Sequence, residues 1–266
     1  MRLAFTAEYD GTSFSGFQKQ KNAVSIQQKI ESALEEITKR KISINYAGRT
    51  DAGVHALSQV FDFETDINRE DKNWLDGMNS NLPDAISIKS ISRVSDDFHS
   101  RFSAKDRSYT FVVYRSKSKP LFFSSFSHWD NNTIDIKVLK NQAKMFIGSH
   151  DFSSFRSSNC SSRNPIKNVS EVNIKDYKNF IFITIKANAF LHNMVRIMAG
   201  TLLDIAKGEI DLSIEDILQK KDRTFAGKTA SAKGLFFLGP RYDSNFNIPS
   251  PVSDLLDRVS IWRNQK

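Results

Sequence analysis

Two successive rounds of hydrophobic periodicity constrain this chain more than any other feature. Arg2 to Asp10 alternates at period two, with Leu3, Phe5, Ala7 and Tyr9 on one side, as a half-buried strand does. Ser25 followed by Gln28 matches a capping box, and Ile26, Ile30, Ala33, Leu34 and Ile37 mark one face of a helix ending near Arg40. Strands are expected at Ile42–Tyr46, Leu57–Phe63 and Ile86–Val94, with residues 70–79 helical before the last of these. From Ser108 the order begins again. Tyr109–Tyr114 reads as a strand, Ile136–Ile147 as a helix, and Val169–Ile174 and Phe180–Ala187 as strands. A long helix over 190–206 carries an apolar stripe of Leu191, Met194, Val195, Met198, Leu202 and Ile205. A short helix at Ile214–Gln219 and a strand at Gly234–Leu238 close the round. The repetition predicts an α+β chain of two similar domains, each a mostly antiparallel sheet with helices on one face. The implied boundaries are 1–103 and 104–240, meeting near residues 100–107, with a tail at 241–266 that finishes in a short helix around Asp254 to Trp262.

Charge divides along the same boundary. Residues 1–103 hold 13 Lys+Arg against 15 Asp+Glu, a net of −2, whereas residues 104–266 hold 25 against 15, a net of +10. Such asymmetry points to a polyanion docking on the second half, with a solvated basic face as the plain alternative. No apolar run approaches the ~20 residues that span a bilayer, and the opening MRLAFTAEYDG reads as a strand rather than a signal peptide. One cysteine, Cys160, excludes an internal disulfide and a thiolate zinc site, and fits a reducing cytoplasm. The five histidines, His55, His99, His128, His150 and His192, show no metal-ligand spacing.

Between two expected strands lies AGRTDAGVH. Gly48 and Gly53 permit backbone angles that other residues resist, so this loop can bring Asp51 close to a ligand. Arg49 stands two residues away. The pair reads either as an ion pair stabilising a turn or as an ionised carboxylate poised as nucleophile or base.

Here the residues resemble a known family. YAGRTDAGVHALSQVFDFET is similar to the catalytic segment of the tRNA pseudouridine synthase A family. EYDGTSFSGFQKQ, FHSRFSAKDRSYTFVVY, HDFSSFR, NAFLHNMVRIMAGTLL and ASAKGLFFL resemble further family segments, in the family order, over roughly residues 3–238. The resemblance implies that Asp51 is the catalytic aspartate and that Tyr109 stacks on the target uracil and assists removal of its C5 proton. It implies that Arg196 pairs with Asp51, which would make a cleft between the domains the active site, and that Leu235 touches the flipped base. Arg49 and His55, flanking Asp51, are expected to bind substrate. On a helical wheel Arg196 shares a strip with His192 and Gly200, a face suited to a cleft wall. The first loop departs from the family's Gly-Trp-Gln with Gly16, Phe17 and Gln18, which removes an indole donor.

The implied reaction converts uridine to pseudouridine in tRNA, at positions 38 to 40 of the anticodon arm. Atoms are neither gained nor lost, so no metal, nucleotide or redox cofactor is expected. Reaching the base means taking it out of its stack, which needs a base-shaped pocket and an aromatic platform. The resemblance also implies a cytoplasmic homodimer. Two other readings stay in view: an RNA-binding protein without catalysis, which would release no C5 proton, and a hydrolase, whose product would change in mass.

Overall fold

The computed structural model describes residues 1–252 and 255, so the helix expected at Asp254–Trp262 falls outside the described residues apart from Leu255. In chain order the elements are β1 (Arg2–Tyr9), α1 (Ile26–Thr38), β2 (Asn45–Tyr46), β3 (His55–Glu64), α2 (Asp71–Asn81), β4 (Ile86–Val94) and β5 (Asp106–Arg115). There follow β6 (His128–Asp130), α3 (Ile136–Lys144), β7 (Gly148–Asp151), β8 (Ile166–Tyr177), β9 (Phe180–Ala187), α4 (Met194–Ala206), α5 (Ile214–Lys220) and β10 (Leu235–Arg241). The composition is α+β, as the periodicity predicts.

The chain forms two compact units, Met1–Arg107 joined by the segment from Phe236 onward, and Ser108–Leu235. The division falls at 107/108, the second unit ends at Leu235, and the described residues after it, to Val252, group with the first unit.

In the first unit the strand order is β4–β1–β3–β10, with β2 also on β3. β1 is antiparallel to both β3 and β4, while β10 runs parallel to β3, pairing Phe236 with His55 and Phe237 with Ala56. Leu3, Phe5, Ala7 and Tyr9 are buried as expected, and Phe5 stacks on Phe61 and Phe63 at 5.3 and 5.5 Å. Ala4 and Thr6 on the opposite face are buried too, at 2 % and 6 % exposure, so β1 is not half-buried. Ala4 joins Ala47, Val60 and Phe98, and the tail residues Tyr242, Phe246 and Ile248 pack over that cluster. Tyr242 Oη donates to the Ser100 carbonyl at 2.6 Å, and the Asn247 carbonyl accepts from Ser92 Oγ at 2.8 Å.

In the second unit the order is β5–β9–β8–β7, with β6 parallel to β5. β8 is antiparallel to β9 and β7. The two shortest strands of this unit, β6 and β7, are too brief to leave a period in the sequence. β2 shrinks from five expected residues to two, because only Asn45 and Tyr46 reach Asp62 and Phe61. α4 begins at Met194 rather than 190, since Asn193 takes a left-handed φ of 62°. Its surface is apolar nearly all round: Ile197, Ala199, Gly200, Thr201 and Leu203 are buried along with the expected stripe. Ser25 caps α1 by accepting from the Gln28 N–H at 3.2 Å, while a full reciprocal box forms at Ser213 and Asp216 of α5.

Candidate active site

Asp51 opens a four-residue turn closed by the Val54 N–H donating to its carbonyl at 3.1 Å. Gly53, third in the turn, has φ 78°. Aspartate at the first position and glycine at a positive-φ third position are the residues such a turn selects, so the local conformation follows from sequence. Asp51 is half-buried, whereas its neighbours Thr50 and Val54 are 5 % and 1 % exposed.

The first loop holds this turn from beneath. Phe17 donates its N–H to the Thr50 carbonyl at 3.0 Å, and the Thr50 hydroxyl lies 2.7 Å from Tyr9 Oη. Burial pushes the Tyr9 phenol well above its ordinary pKa, so it stays protonated. A Cβ on Gly11 would lie 2.0 Å from the Val54 carbonyl oxygen. A Cβ on Gly16, whose φ is 91°, would lie 2.7 Å from the Thr50 oxygen and 3.2 Å from the Asp51 carbonyl carbon. Both glycines are therefore places where backbone meets backbone. Carbonyls of the same loop cap α1, Gly16 accepting from Ile26 at 3.2 Å and Phe17 from Gln27 at 2.9 Å. The Phe17 ring is fully buried between Tyr9 and Tyr46, with centroids at 6.0 and 4.7 Å. The loop's departure from the family pattern thus falls in the core of the first unit.

The two residues expected to bind substrate beside Asp51 differ in exposure. His55 is 2 % exposed, stacks on Phe236 at 4.8 Å and has Nδ1 3.2 Å from the Gly11 nitrogen and 3.1 Å from Asp10 Oδ1. His55 ties the Asp10–Gly11 bend to the foot of the Asp51 turn. Arg49 is exposed and makes no ion pair among the described residues, so it does not pair with Asp51.

The second unit holds Tyr109, Arg196 and Leu235. Tyr109, on β5, is 8 % exposed and meets Phe190 edge to face at 5.0 Å. Arg196 lies in the first turn of α4 and is half-buried. Its Nε donates to the Ala230 carbonyl at 2.8 Å and Nη1 to Asn193 Oδ1 at 2.8 Å, which fixes the plane of the guanidinium. Leu235, 5 % exposed, starts β10 just after Gly234, where a Cβ would lie 2.7 Å from the Val112 carbonyl of β5. Gly200 does not line a cleft wall: a Cβ there would come within 1.9 Å of the Lys228 carbonyl oxygen, so this face of α4 is packed against 227–230. His192 precedes the helix, its Nδ1 2.6 Å from Ser157 Oγ. Asn193 is a supporting residue that sequence reasoning misses, its one signal an asparagine beside a recognised motif, and the close packing that needs Gly11 and Gly16 is likewise not legible in sequence.

Among the described residues no three His, Cys, Asp or Glu side chains converge to hold a metal ion, and no helix is long and apolar enough to cross a membrane. A family model for tRNA pseudouridine synthase matches residues 5–103 and 142–243. The chain belongs to the tRNA pseudouridine synthase family. As a member of that family it is an isomerase acting on tRNA. It is 41 % identical over 257 residues to tRNA pseudouridine synthase A of Hydrogenovibrio crunogenus, covering 96 % of this chain and 97 % of that one. It is also 41 % identical to the enzyme of that name from Photobacterium profundum, over 94 % of this chain and 96 % of the relative. For the one from Buchnera aphidicola the figures are 40 %, 96 % and 97 %. The stretches matched by the family include Asp51, His55, Arg196 and Leu235, and Tyr109 lies outside them.

Proposed function

We propose that this synthase isomerises uridines 38, 39 and 40 in the anticodon arm of tRNA, with Asp51 as the nucleophile. The observation that carries the assignment of Asp51 is its turn, a half-buried carboxylate on backbone locked by Gly11 and Gly16. Catalysis by positioning requires that kind of rigidity, because a misplacement of about 1 Å can cost on the order of a hundredfold in rate. In the reaction the C1′–N1 bond breaks, the uracil turns, and a C5–C1′ bond forms. The C5 proton is lost and N1 gains one, so atoms and electrons balance without a redox or metal cofactor. An ionised Asp51 can add to C1′ or to C6, and both courses need the carboxylate charge.

Arg196 offsets the cost of keeping that charge beside a flipped base, where water is excluded. Its orientation by Ala230 and Asn193 prepares it for such a role. Tyr109 supplies the stacking face and Leu235 an apolar contact for the base. Arg49, exposed next to the turn, meets the phosphate backbone. The working form is a cytoplasmic homodimer with tRNA as its partner. The test is to map pseudouridine in tRNA after treatment with the purified protein, beside Asp51→Asn. New pseudouridine at 38 to 40 with wild type alone is the expected result. Modification elsewhere in the tRNA would overturn the site, and activity of the variant would overturn the nucleophile.

A further inference from the structure

The second unit contains a cavity of about 700 Å³ lined by none of the residues proposed for the reaction. This size falls inside the range of ~300–1,000 Å³ usual for ligand sites. Such sites are mostly apolar, yet this one is lined by Arg156, Lys221 and Arg223 with the hydroxyls of Ser153, Ser157 and Ser158. Its single acidic lining residue is Asp222, whose Oδ1 accepts from Thr224 N and Oγ1 at 2.9 and 2.8 Å. Nearby Asp151 likewise caps Ser153 at 2.9 Å and forms a loose ion pair with Lys221 at 3.9 Å; against the cost of its burial, the Ser153 hydrogen bonds and the charges of Lys221 and Arg156 hold its carboxyl below the usual range. Three cations therefore face a space in which both carboxylates are turned to local caps.

The two arginines are partly buried and, among the described residues, neither forms an ion pair. Arg223 donates to the Ala226 carbonyl at 3.0 Å and to Thr229 Oγ1 at 3.3 Å; Arg156 reaches the Ser162 carbonyl at 3.4 Å. Burial holds the Arg223 guanidinium below its ordinary pKa, the mark of a charge taken out of water without a counter-charge. Partly desolvated guanidiniums whose hydrogen bonds go to neutral oxygens remain complementary to an anion, and hydroxyls complete a phosphate's set of donors.

The cavity adjoins the start of α4. The Ser157 N–H donates to the His192 carbonyl at 3.2 Å and Ser157 Oγ meets His192 Nδ1, one helical turn before Arg196. We propose that the cavity is a phosphodiester-binding subsite that grips the backbone of the tRNA substrate away from the reacting uridine. The subsite rests on the reading of the chain as a tRNA-modifying enzyme and adds where the substrate's backbone is held.

The test is equilibrium binding of tRNA to the full chain across a series of salt concentrations, a readout independent of turnover. Arg156→Gln with Arg223→Gln should weaken binding at least about tenfold near physiological salt and lower the slope of log K on log salt by about one for each phosphate no longer held. Lys221→Gln, whose side chain is 62 % exposed, should fold as wild type does and lower the slope by about one, with the melting temperature as the check on folding. Arg223→Lys should restore much of the slope. Lys72→Gln, an exposed charge of the first unit, should bind as wild type does. A wild-type affinity and slope in a folded double variant, or in Lys221→Gln should the double variant not fold, overturns the subsite. An equal loss in Lys72→Gln also overturns it, because net charge would then be the cause. Failure of the enzymatic reading is separate: Asp51→Asn would keep its turnover while the salt slopes stood unchanged.

Discussion

The two units share an α+β plan and hold their candidate functional groups by different physical means. Counted over the observed units, Met1–Arg107 with the residues from Phe236 holds 19 basic and 19 acidic side chains, net zero. Ser108–Leu235 holds 19 against 11, net +8, which is the whole excess of the chain. The first unit positions one carboxylate by backbone contacts at Gly11 and Gly16, with buried aromatic rings beneath. The second positions cations, Arg196, Arg156 and Arg223, through side-chain hydrogen bonds to carbonyls. Chemistry that needs one atom held within a fraction of an ångström is built on backbone. Attraction of a polyanion tolerates flexible charges and is built from side chains.

The largest expected effect breaks the first unit's part alone. Asp51→Asn should lower turnover by roughly three orders of magnitude or more, since the amide is no nucleophile or base, while tRNA affinity and melting temperature stay near wild type. Tritium release from C5-labelled tRNA measures it; turnover above a few per cent of wild type in a clean preparation would sink the division.

Arg196 tests whether the charge of the second unit reaches the chemistry. Arg196→Met should cost on the order of a hundredfold in turnover, about 2.7 kcal/mol, and raise the apparent pKa governing the rate. Arg196→Lys should keep part of the activity. A pH–rate profile of Arg196→Met superimposable on wild type would confine Arg196 to holding the 230 segment.

A matched pair of glycines sharpens the comparison further. Gly16 and Gly208 both have positive φ, 91° and 75°, but a Cβ on Gly208 would meet nothing within 4 Å. Alanine at either should cost ~1–2 kcal/mol of backbone strain and a few degrees of melting temperature. Only Gly16→Ala should also lower turnover, by roughly tenfold, because its methyl would displace the Asp51 turn. Equal activities in the two variants would show that the turn adapts.

The smallest effect is in the second unit. His128 titrates below its usual value because burial disfavours its charge, an effect reinforced by Lys207 and opposed by Asp130 and Asp204. With the folded pKa depressed, the unfolded chain binds more protons below about pH 6.5, so stability falls as pH drops through that window. Melting curves between pH 7.5 and 5 should fall by roughly a few degrees, less so in His128→Gln. An identical pH dependence in that variant would remove His128 as the cause.

Several elements are legible in sequence because their determinants are local. The period-two run of β1, the apolar face of α1 and the run over Ile86–Val94 all appear near their expected positions. So does the Asp51 turn, where aspartate and glycine two residues apart select the geometry regardless of surroundings. The asymmetry of charge is legible too, as a sum needs no coordinates. β6 and β7 are not, being shorter than any period, and neither is the left-handed Asn193 that delays α4 by one turn.

Sequence by itself determined the α+β class, two rounds of elements, the turn that presents Asp51 and the half that carries the charge. Tertiary structure alone decided that the tail closes over Ala4 and Phe98, that Gly200 is a packing residue and His55 a buried support. It also decided that residues 153, 156–158 and 221–223 line one open cavity. The physical reason is range. Propensity and periodicity report on contacts within a few residues along the chain. Close approaches such as Gly11 to Val54 or Gly200 to Lys228 join segments far apart in sequence, and only packing of the whole chain brings them together.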